Sequence, residues 1–122
     1  MSTVLLVEDS LTDMEVMCLY LQQAGLSVVI AKSGEEAQIK LNSQKPNLII
    51  LDVVLPGQSG FELCREIKTD PETSQIPVVI CSTKDTDVDK MWANMLGADA
   101  FLPKPVEQTE LMRTLRQLIK NG

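Results

Sequence analysis

The chain has 122 residues, 44% of them apolar and 23% charged, with a formal net charge of −6 and no histidine. A chain of this length fits one domain with a sizeable core, and no apolar run approaches the roughly 20 residues that span a bilayer. The lack of histidine excludes Ser-His-Asp and Cys-His catalysis and histidine-ligated metals. The acidic balance argues against nucleic-acid binding, which relies on clustered Lys and Arg.

The N-terminus and the absence of a long apolar run indicate a cytoplasmic protein that does not bind membranes. The first residues lack a basic start, and the apolar run Val4–Val7 is too short for a signal peptide. Cys18, Cys64 and Cys81 are widely spaced among apolar neighbours and form no CxxC pair. We therefore interpret them as core thiols rather than as metal or redox groups.

Five apolar runs alternate with five segments of helical periodicity. The runs predicted to be buried strands are Val4–Val7, Val28–Ala31, Leu48–Leu51, Val78–Cys81 and Ala100–Leu102. The apolar positions that repeat with helical spacing are Met14, Met17, Cys18 and Leu21, then Ala37 and Leu41, then Phe61, Cys64 and Ile67, then Val88, Met91, Trp92 and Met95, and finally Leu111, Leu115 and Leu118. Because Trp92 shares this spacing, we interpret it as a core residue, with partner docking as the alternative.

Helix boundaries are marked by serine and glycine. Ser10, Ser33 and Ser59 each precede an acidic residue by three positions, which is the spacing of a capping box, and Gly25 and Gly97 fall where helices should end. Strands that are apolar throughout and alternate with single helices favour a parallel sheet covered on both faces. Five units are too few for an eight-stranded barrel, so we predict one doubly wound α/β domain over residues 1–122.

Ionisable and polar side chains follow four of the five predicted strands. Glu8 and Asp9 follow the first strand, Asp52 the third, Ser82 the fourth and Lys104 the fifth. In a doubly wound sheet, the ligand site lies beyond the carboxyl ends of the strands, so these groups are expected to meet. Taken singly, the acids could cap a helix or form an Asx turn, and the lysine could be a solvated surface residue.

Three carboxylates at one edge would repel one another, and a bound cation would keep them ionised. Oxygen ligands favour a hard octahedral ion such as Mg²⁺, for which Mn²⁺ is expected to substitute. A carboxylate beside Mg²⁺ can attack phosphorus and form an acyl phosphate. We predict this role for Asp52, with Lys104 offsetting the phosphoryl charge and Ser82 donating a hydrogen bond.

Four stretches resemble the receiver domain of two-component response regulators, the CheY-like family. They are Val4–Ser10, Leu51–Gly57, Pro77–Ser82 and Gly97–Pro105. The resemblance covers essentially the whole chain. It implies a (βα)5 flavodoxin-like fold with five parallel strands in the order 2-1-3-4-5, and a single receiver domain with no output domain.

The resemblance also implies roles for individual residues and partners. The implied residues are the phosphoacceptor Asp52, the Mg²⁺ ligands Glu8, Asp9, Asp52 and the backbone carbonyl of Val54, the switch residues Ser82 and Phe101, and the phosphate-sensing Lys104. The donor would be the phosphohistidine of a sensor histidine kinase or phosphotransfer protein, or a small acyl phosphate. Phosphorylation would then remodel the surface formed by the fourth helix, fifth strand and fifth helix, which a downstream protein reads. We expect a signalling switch rather than an enzyme, as a monomer or weak dimer.

Three stretches look like stand-alone regulators of pilus-associated chemosensory systems, namely Asp70–Ser74, Ser82–Asp85 and Asp89–Trp92. The apolar side chain at Val54 cannot position an attacking water, which predicts slow loss of the phosphoryl group. Two other functions stay open: a Mg²⁺-dependent aspartyl-phosphate hydrolase, disfavoured because Val54 stands where such enzymes have a second acid, and an interaction module that works without phosphorylation.

Overall fold

The computed structural model describes residues 2–119 and contains one parallel sheet between two layers of helices. The elements are β1 (Thr3–Val7), α1 (Leu11–Gln23), β2 (Ser27–Ala31), α2 (Gly34–Ser43), β3 (Leu48–Leu51), α3 (Gly60–Thr69), β4 (Val78–Ser82), α4 (Asp87–Met95), β5 (Ala100–Pro103) and α5 (Gln108–Leu118). Every strand pairing is parallel, in the order β2-β1-β3-β4-β5. The predicted doubly wound sheet of five strands is therefore confirmed. No helix within the described residues is long and apolar enough to cross a membrane.

The core consists of two apolar clusters, one on each face of the sheet. Alternate residues of β3 point to opposite faces, so that Leu48 and Ile50 join the cluster under α1 and α5, whereas Ile49 and Leu51 join the one under α2, α3 and α4. A strand buried on both faces cannot alternate apolar with polar residues, which explains its unbroken apolar run.

The three cysteines are free thiols, as predicted. Cys64 and Cys81 are buried, and burial raises the pKa of their thiols to about 11 and about 12, respectively. Cys18 is half-buried, and burial raises the pKa of its thiol as well. All three are therefore neutral thiols near pH 7, as expected of packing groups.

The predicted helix ends and the serine half of each predicted capping box are confirmed, but none of the three acidic residues returns a hydrogen bond to its serine. The hydroxyls of Ser10, Ser33 and Ser59 each accept a hydrogen bond from the backbone N–H three residues later. Gly25 and Gly97 follow the ends of α1 and α4 with φ values of +82° and +95°. This conformation is open to glycine at little cost and satisfies the last helical carbonyls.

The assignment of Trp92 to the core is wrong. The apolar side chains of α4, here named the α4 stripe, are all exposed: Val88 by 68%, Met91 by 58%, Trp92 by 46% and Met95 by 68%. Only Ala93 of this helix is buried. Helical periodicity identifies an apolar face but does not say which way the face points, and here the small Ala93 side chain packs against the sheet instead.

The start of α4 carries a capping box that sequence reasoning missed. The Thr86 hydroxyl accepts a hydrogen bond from the Asp89 N–H, and the Asp89 carboxylate accepts one from the Thr86 N–H. The reciprocal bonds satisfy the first backbone donors of the helix without burying an apolar face. They help to explain how α4 forms although its apolar stripe faces solvent.

Candidate functional site

The ammonium group of Lys104 binds three carboxylates at the carboxyl edge of the sheet. Its Nζ lies 2.6 Å from Oε1 of Glu8, 2.8 Å from Oδ2 of Asp13 and 2.9 Å from Oδ2 of Asp52. The backbone N–H of Lys104 donates to the Ser82 carbonyl, which fixes the loop that follows β5 beside the end of β4. An ammonium group has three hydrogens to donate, so these contacts use its full capacity.

Asp52 follows β3 directly and is held at the edge of the sheet by its own backbone. Its N–H donates to the Val7 carbonyl at 3.1 Å, which extends the pairing with β1 by one residue. Its Oδ1 accepts a hydrogen bond from the Val54 N–H at 3.3 Å, while Oδ2 faces Lys104. The side chain is only 11% exposed, so this orientation is set by the surrounding structure rather than by solvent.

The start of α3 packs against the backbone of Asp52 because Gly60 has no side chain. The Gly60 N–H donates to the Val53 carbonyl at 2.7 Å. A Cβ atom at this position would collide with the Asp52 carbonyl oxygen and lie 2.7 Å from its carbonyl carbon. The glycine therefore allows the helix to approach the loop that carries Asp52.

Glu8 is almost fully buried beside Lys104, with an exposed fraction of 3%. Its Oε2 accepts a hydrogen bond from the Ser10 N–H at 3.1 Å. Burial raises the pKa of the Glu8 carboxyl above its ordinary value, although the hydrogen bond from Lys104 opposes this shift. For Lys104, burial lowers the pKa, but the hydrogen bonds that its ammonium group donates to Asp13, Glu8 and Asp52 more than reverse the effect and raise it.

Asp13 belongs to this group but was not among the predicted site residues. It lies in the first turn of α1, where its N–H donates to the Ser10 hydroxyl at 3.4 Å. Sequence reasoning assigned Asp13 only to the cap of this helix. Its position could have been inferred from the sequence, because the first turn of α1 follows β1 closely and so brings the Asp13 carboxylate to the same edge of the sheet as Glu8.

Two predicted site residues, Asp9 and Val54, form no hydrogen bond or ion pair with the Lys104 ammonium group. Asp9 follows Glu8 and is exposed. The Val54 side chain is 58% exposed, at the start of the loop that leaves Asp52. Within residues 2–119, no three carboxylate or thiol groups are arranged to hold a metal ion; the ammonium group of Lys104 instead neutralises part of the acidic charge.

The two predicted switch residues lie on neighbouring strands, Ser82 at the end of β4 and Phe101 in β5. Ser82 is fully buried, and its Oγ accepts a hydrogen bond from the Lys84 N–H at 3.0 Å. Phe101 is half-buried opposite Ile80 of β4 and packs against the core cluster under α4. The structure thus brings Glu8, Asp52 and Lys104 into contact, but it holds the Ser82 hydroxyl in a local turn.

The family is identified by comparison with known proteins. A family model described as the response regulator receiver domain matches residues 4–116. The chain belongs to this family. Receiver domains are phosphoacceptor switches in two-component signalling.

The receiver domain is similar to a protein of nearly the same length. It is 36% identical over 119 residues to Protein PilH of Pseudomonas aeruginosa, covering 98% of each chain. It is also 36% identical over 122 residues to the transcriptional regulatory protein AfsQ1 of Streptomyces coelicolor, covering 100% of this chain and 53% of that protein. The chain thus spans about half the length of a relative that is a transcriptional regulator.

Solved structures share the same fold over nearly the full chain. The chemotaxis response regulator CheY4 of Vibrio cholerae has a TM-score of 0.89 and 30% identity, covering 97% of this chain and 98% of that one. The receiver domain of the sensor histidine kinase PA1611 from Pseudomonas aeruginosa has a TM-score of 0.89 and 26% identity, covering 97% of each chain. That structure has a magnesium ion coordinated in its active-site cleft.

Proposed function

We propose that this receiver domain accepts a phosphoryl group on Asp52 and so switches the binding of a downstream protein. The observation that carries the proposal is the contact between Asp52 and Lys104, 2.9 Å apart in a largely buried setting. A carboxylate held at a sheet edge beside a fixed ammonium group is suited to receive a phosphoryl group, because the lysine offsets the added negative charge.

The transfer forms one bond and breaks one. An Asp52 carboxylate oxygen attacks the phosphorus of a phosphohistidine or small acyl phosphate, a P–O bond forms, and the donor keeps the electron pair of its broken P–N or P–O bond. The product is a mixed anhydride with a dianionic phosphoryl group. Lys104 then donates hydrogen bonds to the new phosphoryl oxygens, since it already lies beside Asp52.

Mg²⁺ is the proposed cofactor, and Mn²⁺ should replace it. The proposed ligands are Glu8, Asp9, Asp52 and the backbone carbonyl of Val54. The donor chemistry supports this choice because all these ligands are hard oxygen atoms. The three carboxylates do not surround a common point in the structure, where Lys104 binds Glu8 and Asp52, so the ion would have to draw them together. When bound, the ion neutralises phosphoryl charge. The magnesium ion in the related PA1611 receiver domain also supports the proposal.

The proposed output is a change in the surface formed by α4, β5 and α5. The Ser82 oxygen accepts a hydrogen bond from the Lys84 N–H, and its hydroxyl hydrogen would be donated to a phosphoryl oxygen near Lys104. Movement of Ser82 toward that oxygen would free space for Phe101 to turn inward. The exposed α4 stripe supports a docking role, because contiguous apolar side chains on a surface are typical of interaction sites. We propose that the domain works as a monomer or weak dimer in the cytoplasm.

The proposed pathway is control of pilus motility or chemotaxis. Identity of 36% to Protein PilH over 98% of both chains supports it, together with the stretches that resemble pilus-associated regulators. The sensor histidine kinase or phosphotransfer protein that supplies the phosphoryl group would belong to the same system.

The test is phosphorylation by acetyl phosphate in the presence of Mg²⁺, followed by intact mass and by fluorescence of Trp92, the single tryptophan. We expect the mass of one phosphoryl group in the wild type and none in Asp52→Ala. Asp87→Ala is the matched control, because this aspartate is exposed in the first turn of α4 and is not one of the three carboxylates that bind Lys104. Repeated turnover of phosphate esters would favour the hydrolase, and an unmodified wild type would favour the interaction module.

Replacing Val54 by asparagine should shorten the lifetime of the phosphorylated domain. The exposed valine cannot hydrogen-bond a water that attacks the phosphoryl group, whereas an amide can. One such hydrogen bond in the transition state is worth about 1 kcal/mol, which predicts roughly fivefold faster loss of phosphate. The decay of radiolabelled protein measures the rate. Val54→Leu should keep the slow decay, and decay within seconds in the wild type, unchanged in Val54→Asn, would contradict the idea.

A further inference from the structure

We propose that Asp13 is a positioning residue that restrains Lys104 in the unphosphorylated domain and competes with the phosphoryl group for its ammonium hydrogens. The inference rests on the proposed phosphorylation of Asp52. The Lys104 ammonium group has three hydrogens to donate, and three carboxylates accept them at distances of 2.9 Å or less. Each hydrogen given to a phosphoryl oxygen must leave one of these partners.

The three carboxylates differ in how easily they can release Lys104. Glu8 makes the shortest contact, at 2.6 Å, and its side chain is 3% exposed. Asp52 is 11% exposed and would itself carry the phosphoryl group. Breaking the contact with Glu8 would leave a buried carboxylate that only the proposed Mg²⁺, and not water, could neutralise.

Asp13 can release Lys104 at a much lower cost. Its side chain is 43% exposed, so water can replace the ammonium group once the contact breaks. Its position is also fixed independently of Lys104, because its N–H donates to the Ser10 hydroxyl at the start of α1. Asp13 is therefore the partner that yields, and its attraction for Lys104 opposes phosphorylation.

The test compares the affinity of wild type and Asp13→Asn for beryllofluoride, a phosphoryl mimic, at saturating Mg²⁺. Amide NMR spectra recorded during the titration give the half-saturating concentration. We expect Asp13→Asn to bind more tightly by a factor between about 1.4 and 5, which is the range for losing one competing exposed ion pair. A role in structure alone predicts weaker or unchanged binding, so the direction of the effect separates the two.

Glu15→Gln is the matched control. It removes the same charge from α1 at an exposed position two residues further along the helix. Binding by Glu15→Gln should equal that of the wild type. Equal binding by Asp13→Asn and wild type, weaker binding by Asp13→Asn, or an equal gain in both variants would overturn the inference. A wild type that neither binds beryllofluoride nor becomes phosphorylated would instead overturn the proposed function, and this inference with it.

Discussion

Gly60→Ala is expected to lower the free energy of unfolding by about 3 kcal/mol, because overpacking against fixed atoms forces the backbone to move. The added Cβ would collide with the Asp52 carbonyl oxygen and lie 2.8 Å from Cα of Val53. The shift would move Asp52 relative to Lys104. Since misplacement by 1 Å can cost about 100-fold in rate, phosphorylation by acetyl phosphate should slow by roughly that factor. Urea unfolding and the rate of mass gain measure the two effects.

Gly34→Ala is the matched control for this substitution. Gly34 also follows a serine N-cap and begins a helix, α2. A Cβ atom there would contact the end of the Gln58 side chain, which can rotate away, rather than backbone atoms. Gly34→Ala should therefore keep nearly wild-type stability and phosphorylation rate. If the two variants lose stability equally, the close approach to Asp52 is not the cause.

Lys68→Met is expected to cost about 1 to 3 kcal/mol of unfolding free energy, because it leaves two backbone carbonyls and a carboxylate that is 35% exposed without their ammonium partner. The Lys68 ammonium group lies 2.9 Å from Oδ2 of Asp99 and donates to the carbonyls of Ser74 and Ile76. Its side chain is 14% exposed, so water replaces these bonds poorly. Urea unfolding followed by Trp92 fluorescence measures the loss.

Lys45→Met is the comparison for charge. Lys45 is exposed and donates only to the Leu41 carbonyl, so its replacement should change stability by about 0.5 kcal/mol or less. Lys68 also lies at the amino end of the sheet, where Asp99 accepts the Val78 N–H. Folded Lys68→Met should therefore still be phosphorylated at Asp52. If Lys68→Met lost no more stability than Lys45→Met, the bonds of Lys68 to the loop before β4 and to the loop before β5 would not stabilise the domain.

The sequence predicted most of the fold because its strong signals are local. The unbroken apolar run of β3, the serine caps and the glycines after α1 and α4 each depend on neighbouring residues, and each matches the structure. The contacts of Lys104 with Glu8 and Asp52 could also be predicted, because the carboxyl ends of parallel strands share one edge of the sheet. Strand order came from the family resemblance rather than from any local signal.

The remaining features depend on contacts between distant residues, which no single segment encodes. The direction of the α4 stripe depends on how Ala93 meets the sheet. The bonds of Lys68 to Asp99 and Ile76 join two loops and have no sequence pattern of their own. Asp13 was assigned to a helix cap because its N–H does serve that purpose, whereas its carboxylate binds a lysine 91 residues away.

Because α4 buries so little side-chain surface, it should be the first helix to separate locally from the sheet. With Ala93 as its only buried residue, this helix loses little apolar contact when it separates from the sheet. Segments with few buried contacts open locally at a small fraction of the global unfolding free energy. The amide hydrogens of α4 should thus exchange with solvent well before those of β1 and β3. A modest energetic input at the edge of the sheet is then enough to reposition α4, while the rest of the domain stays folded.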